Sequence, residues 1–294
     1  MKIKGYALAI TSAFFYGLIP LYILPIRLSD FPPNYTLFLR FLLAAFIILG
    51  YLIFKKESLK INLKETLILF ILGICYALST EFLLLGYDML TPGIASTILF
   101  IFPVIVATIM VLFFKERISR MAILSIGIST TGVLILGIQD SIYQFNISGL
   151  LVCLLSAVFY ALYMIVVNKS QIKVSGFKLT FYSLLFSSCY YLAKMALVQE
   201  TFVIPNPTIM FNLALLSLVS TVLSIITLVY AIKYIGSTST SVMGALEPIV
   251  AISVSVLFFG EQLTASLISG VALILAGVIM NITSSALTTQ KPTD

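Results

Sequence analysis

The chain has 294 residues, of which 61% are hydrophobic and only 10% charged, with a formal net charge of +6 and a mean hydropathy of +1.15. Soluble domains carry about 25% charged and about 45–50% apolar residues, so a water-soluble fold is excluded and the bilayer is the expected solvent. Histidine is absent, which removes the commonest metal ligand and the usual proton shuttle: no metal and no cofactor is expected, nothing points to nucleic acid, and any proton coupling must rest on carboxylates.

A membrane helix needs about 20 mostly apolar residues. In chain order the apolar runs are 5–24, 34–54, 66–87, 92–114, 120–138, 148–168, 178–198, 209–232, 238–259 and 264–283. The first follows Lys2 and Lys4 as a signal peptide would, but it has span length and no small-x-small cleavage site follows, so it is expected to stay as a helix. Breakers separate the runs: Pro25, Pro32 and Pro33, then Thr91-Pro92-Gly93, Asn146, Ser175-Gly176, Pro205 with Pro207, and Gly236. The runs are apolar all round, whereas barrel strands alternate. Cys75, Cys153 and Cys189 fall inside them and are expected to be unpaired core thiols. With no tryptophan, tyrosines near span ends supply the interfacial belt: Tyr35, Tyr51, Tyr87, Tyr143, Tyr191 and Tyr234.

Basic residues fix the orientation. Lys2, Lys4, Lys55, Lys56, Lys60, Lys64, Lys115, Arg117, Arg120, Lys169, Lys173, Lys178, Lys233 and Lys291 fall on one side, and Arg27 alone among loop residues on the other. That asymmetry places both termini in the cytoplasm.

The halves repeat. At an offset of 145, Pro103 matches Pro248, Val111 to Ile118 (VLFFKERI) matches Val256 to Leu263 (VLFFGEQL), and Gly132-Val133 matches Gly277-Val278. At an offset of 144, Ser12-Ala13-Phe14-Phe15-Tyr16 matches Ser156-Ala157-Val158-Phe159-Tyr160. Five spans is an odd number, so the second half enters from the opposite face. The basic residues of the first turn are replaced by Gly260 and Gln262 in the second, as the positive-inside bias demands. The expected fold is therefore an all-α integral membrane protein of ten helices in two inverted repeats, 1–138 and 146–283, with a cytoplasmic tail 284–294. Inverted repeats are a signature of secondary transporters.

The pattern resembles the drug/metabolite transporter superfamily, EamA type. The residues that carry the resemblance are Arg40-Phe41-Leu42-Leu43-Ala44-Ala45, then Pro103…Phe114-x-Glu116-Arg117-Ile118 with Gly127 and Gly132, and Glu247-Pro248…Gly260-Glu261-Gln262-Leu263 with Gly270 and Gly277. The resemblance implies a carrier of the cell membrane that works by alternating access without ATP, mostly in export, and it implies no particular solute. Arg40 has Ser183 as its counterpart, so whatever Arg40 does is done once.

Charges within spans cost roughly 2.5–3.5 kcal/mol at the helix centre and must pair or line water. Arg40 and Glu81 both lie about 9 Å below the outer boundary at 1.5 Å per residue. An Arg40–Glu81 pair that fixes packing and a solute site, with a carboxylate at Arg40 and an amine or proton at Glu81, are equally open. Glu247 sits near the midplane before Pro248, and Pro103 is its repeat partner's kink; prolines at matching depth are a pointer to a transporter site, with a plain packing kink as the alternative. A central carboxylate could also exchange a proton. Lys194 is expected to snorkel, and Glu116 and Glu261 to cap the following helices. Tyr16 and Tyr160 are repeat partners at midplane depth and either face solute or simply pack; Tyr76 and Tyr163 are further cavity candidates.

No phosphate loop G-x-x-x-x-G-K-[ST] is present, and no nucleophile or base cluster favours an intramembrane enzyme. A channel lacks a visible filter. The favoured reading is a secondary carrier of a small cationic or zwitterionic solute such as an amino acid or amine, with protons as the candidate coupling ion. Channel and intramembrane enzyme are the rivals, and the oligomeric state is open.

Overall fold

In a computed structural model, residues 2–90, 95, 98–116, 119–138, 147–170, 172–259 and 265–288 are described. All regular elements among them are helical. In chain order they are α1 (Lys2–Gly17), α2 (Ile19–Arg27), α3 (Pro33–Phe54), α4 (Leu63–Met89), α5 (Phe102–Phe114), α6 (Arg120–Ile138), α7 (Ile147–Lys169), α8 (Gly176–Leu197), α9 (Pro207–Ser217), α10 (Ser224–Met243), α11 (Leu246–Phe259) and α12 (Ala265–Thr288). A π-helical turn, Leu218–Leu223, joins α9 to α10. Among the described residues, five stretches are long and apolar enough to cross a bilayer: Lys2–Arg27, Pro33–Phe54, Leu63–Met89, Ile147–Lys169 and Pro207–Met243. Thr91-Pro92-Gly93, Arg117, Asn146, Tyr143, Gly260, Glu261, Gln262 and Lys291 lie outside the described residues.

Local sequence sets the ends. Asn62 and Glu65 form a capping box, with Glu65 N–H donating to Asn62 Oδ1 (2.8 Å) and Asn62 N–H to Glu65 Oε2 (2.9 Å). Ser175 and Asn206 cap α8 and α9 through Lys178 N–H (3.0 Å) and Ile209 N–H (2.8 Å). Gly236 adopts φ 79° within α10, a left-handed conformation open to glycine, and kinks that helix.

The helices pack as a pseudo-symmetric set. α1 lies along α10 as α4 lies along α7; α1 meets α11 as α7 meets α5; α3 packs on α8 and α6 on α12. Side chains at repeat-equivalent positions make equivalent bonds. Ser12 Oγ donates to Ser224 C=O (2.9 Å), and Ser156 Oγ donates to Ser79 C=O (2.6 Å). The α6–α12 crossing is closed by Gly132, where a Cβ would come within 2.7 Å of Gly270 C=O and 2.9 Å of Ile274 N, and by Gly277, where it would come within 2.8 Å of Ser125 C=O. Small residues let backbones approach this closely. Three expectations need correction. Tyr191 is not at the interface: it is fully buried, its hydroxyl donating to Ala77 C=O (2.8 Å). Glu116 does not cap α6. Ser119 does, accepting from Ala122 N–H (3.1 Å), while the Glu116 carboxylate accepts from Thr238 (3.2 Å) and lies 3.8 Å from Lys169 Nζ. Of the three free cysteines, Cys75 and Cys153 are buried and Cys189 is exposed.

Candidate functional site

Three spans are broken at one level, each just before a proline. α2 restarts at Ile19 with Pro20 in its first turn, α5 at Phe102 with Pro103, and α11 at Leu246 with Pro248. Proline suits a first turn because its missing N–H would have no helical partner there. The connecting residues fall back on tighter bonds: Leu18 N–H to Phe15 C=O (3.3 Å), Ile101 to Ile98 (3.1 Å) and Ala245 to Val242 (3.1 Å). Around these breaks is a cavity of about 30 Å³, lined by residues including Tyr16, Pro20, Tyr87, Phe100, Glu247 and Pro248. That is room for one or two waters. Glu247 is 7% exposed and its carboxylate makes no hydrogen bond or ion pair with any described residue.

The tyrosines converge on the same place. Tyr16 and Tyr160 stack with ring centroids 5.9 Å apart, joining the repeat partners across the two halves. Phe102 meets the Tyr160 ring edge-on at 4.8 Å. Tyr76 packs on Tyr163 (5.5 Å) and on Phe41 (5.4 Å), which stacks on Tyr191 (5.7 Å). Among the described residues the Tyr163 hydroxyl is buried without a hydrogen-bond partner; Tyr76 Oη, close to Tyr16, also lacks one of good geometry. Arg40 borders the same cluster, its guanidinium 5.4 Å from the Phe41 ring centroid.

Arg40 and Glu81 do not pair. Arg40 in α3 is 1% exposed and donates through Nε to Thr221 Oγ1 (2.7 Å) in the π-helical turn. Glu81 in α4 faces α8 instead, accepting from Lys194 Nζ (2.6 Å) and from the Tyr190 hydroxyl (2.7 Å). Lys194 therefore does not reach for the headgroups; it neutralises Glu81, with 27% of its side chain exposed. Elsewhere, Arg27 pairs with Asp88, and Glu200 accepts from Asn34 Nδ2 (2.6 Å) and Tyr35 N–H (3.2 Å). The break at Pro20 and the residue Thr221 are additions. Pro20 is visible in the sequence as a proline inside an apolar run, and the run Ser217, Ser220, Thr221, Ser224 as a polar stripe within another.

The sequence matches the EamA-like transporter family over residues 3–138 and again over 147–283. The chain belongs to the EamA-like transporter family. Its two family repeats are the two halves whose serine and glycine contacts mirror each other. The chain is 25% identical over 247 residues to the "Uncharacterized transporter YdfC" of Bacillus subtilis (strain 168), covering 83% of this chain and 80% of that protein. A protein of known crystal structure superposes with a TM-score of 0.78 at 15% identity, over 98% of this chain and 99% of that one, a likeness of fold alone. This EamA-like protein is accordingly a multi-pass membrane transporter built from two repeats.

Proposed function

We propose that the chain is a secondary active carrier of the cell membrane that moves a small cationic or zwitterionic metabolite, such as an amino acid or amine, by alternating access. Ten spans with both termini in the cytoplasm are part of this reading, supported by the loop asymmetry of Lys and Arg. The observation that carries it is the meeting of three broken helices at a cavity bearing a buried carboxylate, Glu247, that pairs with no described residue, between the repeats. Discontinuous helices at the repeat interface are where such carriers bind solute. Glu247 takes the solute's ammonium or a coupling proton, Tyr16 and Tyr160 pack on its apolar part, and Tyr76 and Tyr163 offer hydroxyls. Arg40, beside the Phe41 ring of the same aromatic cluster, supplies a buried positive charge. Glu81 lines the outer approach, held by Lys194. Export is the proposed direction, on the family resemblance.

The test is counterflow in proteoliposomes with amino acids and amines that stabilise the purified protein thermally, since a bound solute raises Tm by mass action. Saturable exchange that Glu247→Gln reduces at least tenfold, with loss of its pH dependence, is expected. Flux linear in solute concentration, or full exchange in Glu247→Gln, contradicts it.

A further inference from the structure

The most conspicuous unmet polar groups lie where α3 crosses the π-helical turn. Among the described residues, Arg40 Nη2 is buried with no hydrogen-bond partner, and so are Ser217 Oγ at the end of α9 and Ser220 Oγ within the turn. A guanidinium presents five donors and cannot shed its charge, and a buried charge without partners is strongly destabilising unless something compensates it. No carboxylate among the described residues pairs with it; the nearby Phe41 ring (5.4 Å) offers only a weak substitute.

The turn itself is built for this guanidinium. A π-helical turn shifts hydrogen bonding to i→i−5 and frees groups that an α-helix would use. Thr221 occupies that shift: its hydroxyl donates to Leu216 C=O, five residues back (2.9 Å), which leaves its oxygen to accept from Arg40 Nε (2.7 Å). The Nε edge of the guanidinium is thereby fixed and Nη2 remains available. The other repeat lacks all of this. Ser183 stands at the counterpart of Arg40 and spends its hydroxyl on Leu179 C=O (2.8 Å), and α4 runs as an uninterrupted helix.

We infer that Arg40 Nη2, with the hydroxyls of the π-helical turn, forms a binding subsite for an oxyanion, carboxylate or phosphate, and that Thr221 is its positioning residue. This deepens the carrier reading by requiring an acidic group on the solute, so that a simple amine would not satisfy the site. Planar, bidentate recognition of oxyanions is what a guanidinium fixed at one edge does best.

The experiment is a thermal titration of the purified, full-length protein with acetate and with inorganic phosphate at constant ionic strength. Acetate or phosphate is expected to raise the Tm of wild type and of Thr221→Ser. In Thr221→Val the apparent affinity should fall at least tenfold, and in Arg40→Ser the shift should vanish. Should Thr221→Val not fold, Arg40→Lys serves, since it keeps the charge but loses the fork; it too should bind at least tenfold more weakly. A response to phosphate alone names the solute's acidic group as phosphate, and to acetate alone as carboxylate. An unchanged Tm in wild type, or an equal shift in Arg40→Ser, overturns the subsite. Counterflow that persists while the anion titration is flat removes this inference and leaves the carrier reading; anion binding without solute exchange does the reverse.

Discussion

The crossing of α4 with α8 and the crossing of α3 with the π-helical turn stand at corresponding places in the two repeats, and they are built in opposite ways. In the first, Gly73 lies so close to α8 that a Cβ would sit 2.6 Å from Phe186 Cβ and 2.8 Å from Ser183 C=O, and Ser187 Oγ donates across to Gly73 C=O (2.8 Å). In the second, Arg40 stands in the place of Ser183, the helix is opened by an extra residue in its turn, and three polar atoms lack partners among the described residues. One crossing is closed and fully bonded; the other holds a charge it does not neutralise. Duplicated halves thus supply a rigid frame once and a reactive seam once, and the asymmetry marks the seam.

The sharpest way to break the comparison is to make the seam resemble the frame. Arg40→Ser should lower solute exchange about a hundredfold or more, consistent with the loss of a charged contact of about 3 kcal/mol. Tm should hold steady or rise, because an unpaired buried charge is removed. A large fall in Tm would mean that Arg40 is structural. The converse change, Gly73→Ala on the frame, should cost about 1–3 kcal/mol of stability through overpacking, read as a lower Tm with little change in the affinity for solute. Lys194→Met leaves Glu81 with Tyr190 alone and should cost about 1–2 kcal/mol, which Glu81→Gln in the same chain should largely recover. Smallest are Ser12→Ala and Ser156→Ala, the mirrored bonds, at about 0.6 kcal/mol each; clearly unequal effects would argue against equivalent packing at the two sites.

Much of this organisation can be read from the residues. The 144–145 offset is written in Ser12 and Ser156 and in Gly132 and Gly277, because repeat-equivalent crossings need the same small side chains to let backbones approach. Pro103 and Pro248 stand out because proline cannot sit unnoticed in a span, and helices begin at both; Pro20 carries the same message but lies where a run could continue on composition alone. Partner choice is a different matter. Depth along a helix follows from counting, and it put Arg40 level with Glu81; which way each side chain faces depends on helix rotation, and rotation sends Arg40 to Thr221 and Glu81 to Lys194. The π-helical turn is a shift of bonding register that no residue type announces. Glu116 shows the same limit: its spacing suits a cap, and Thr238 and Lys169, distant in sequence, claim it.

The central claim is that the cavity at the three helix breaks opens in turn to each side of the membrane. Ala251 lines that cavity. In a chain with Cys75, Cys153 and Cys189 replaced by alanine, Ala251→Cys should react with a membrane-impermeant maleimide added from either face, and saturating solute should suppress both reactions. Labelling from one face only, unaffected by solute, would contradict the account.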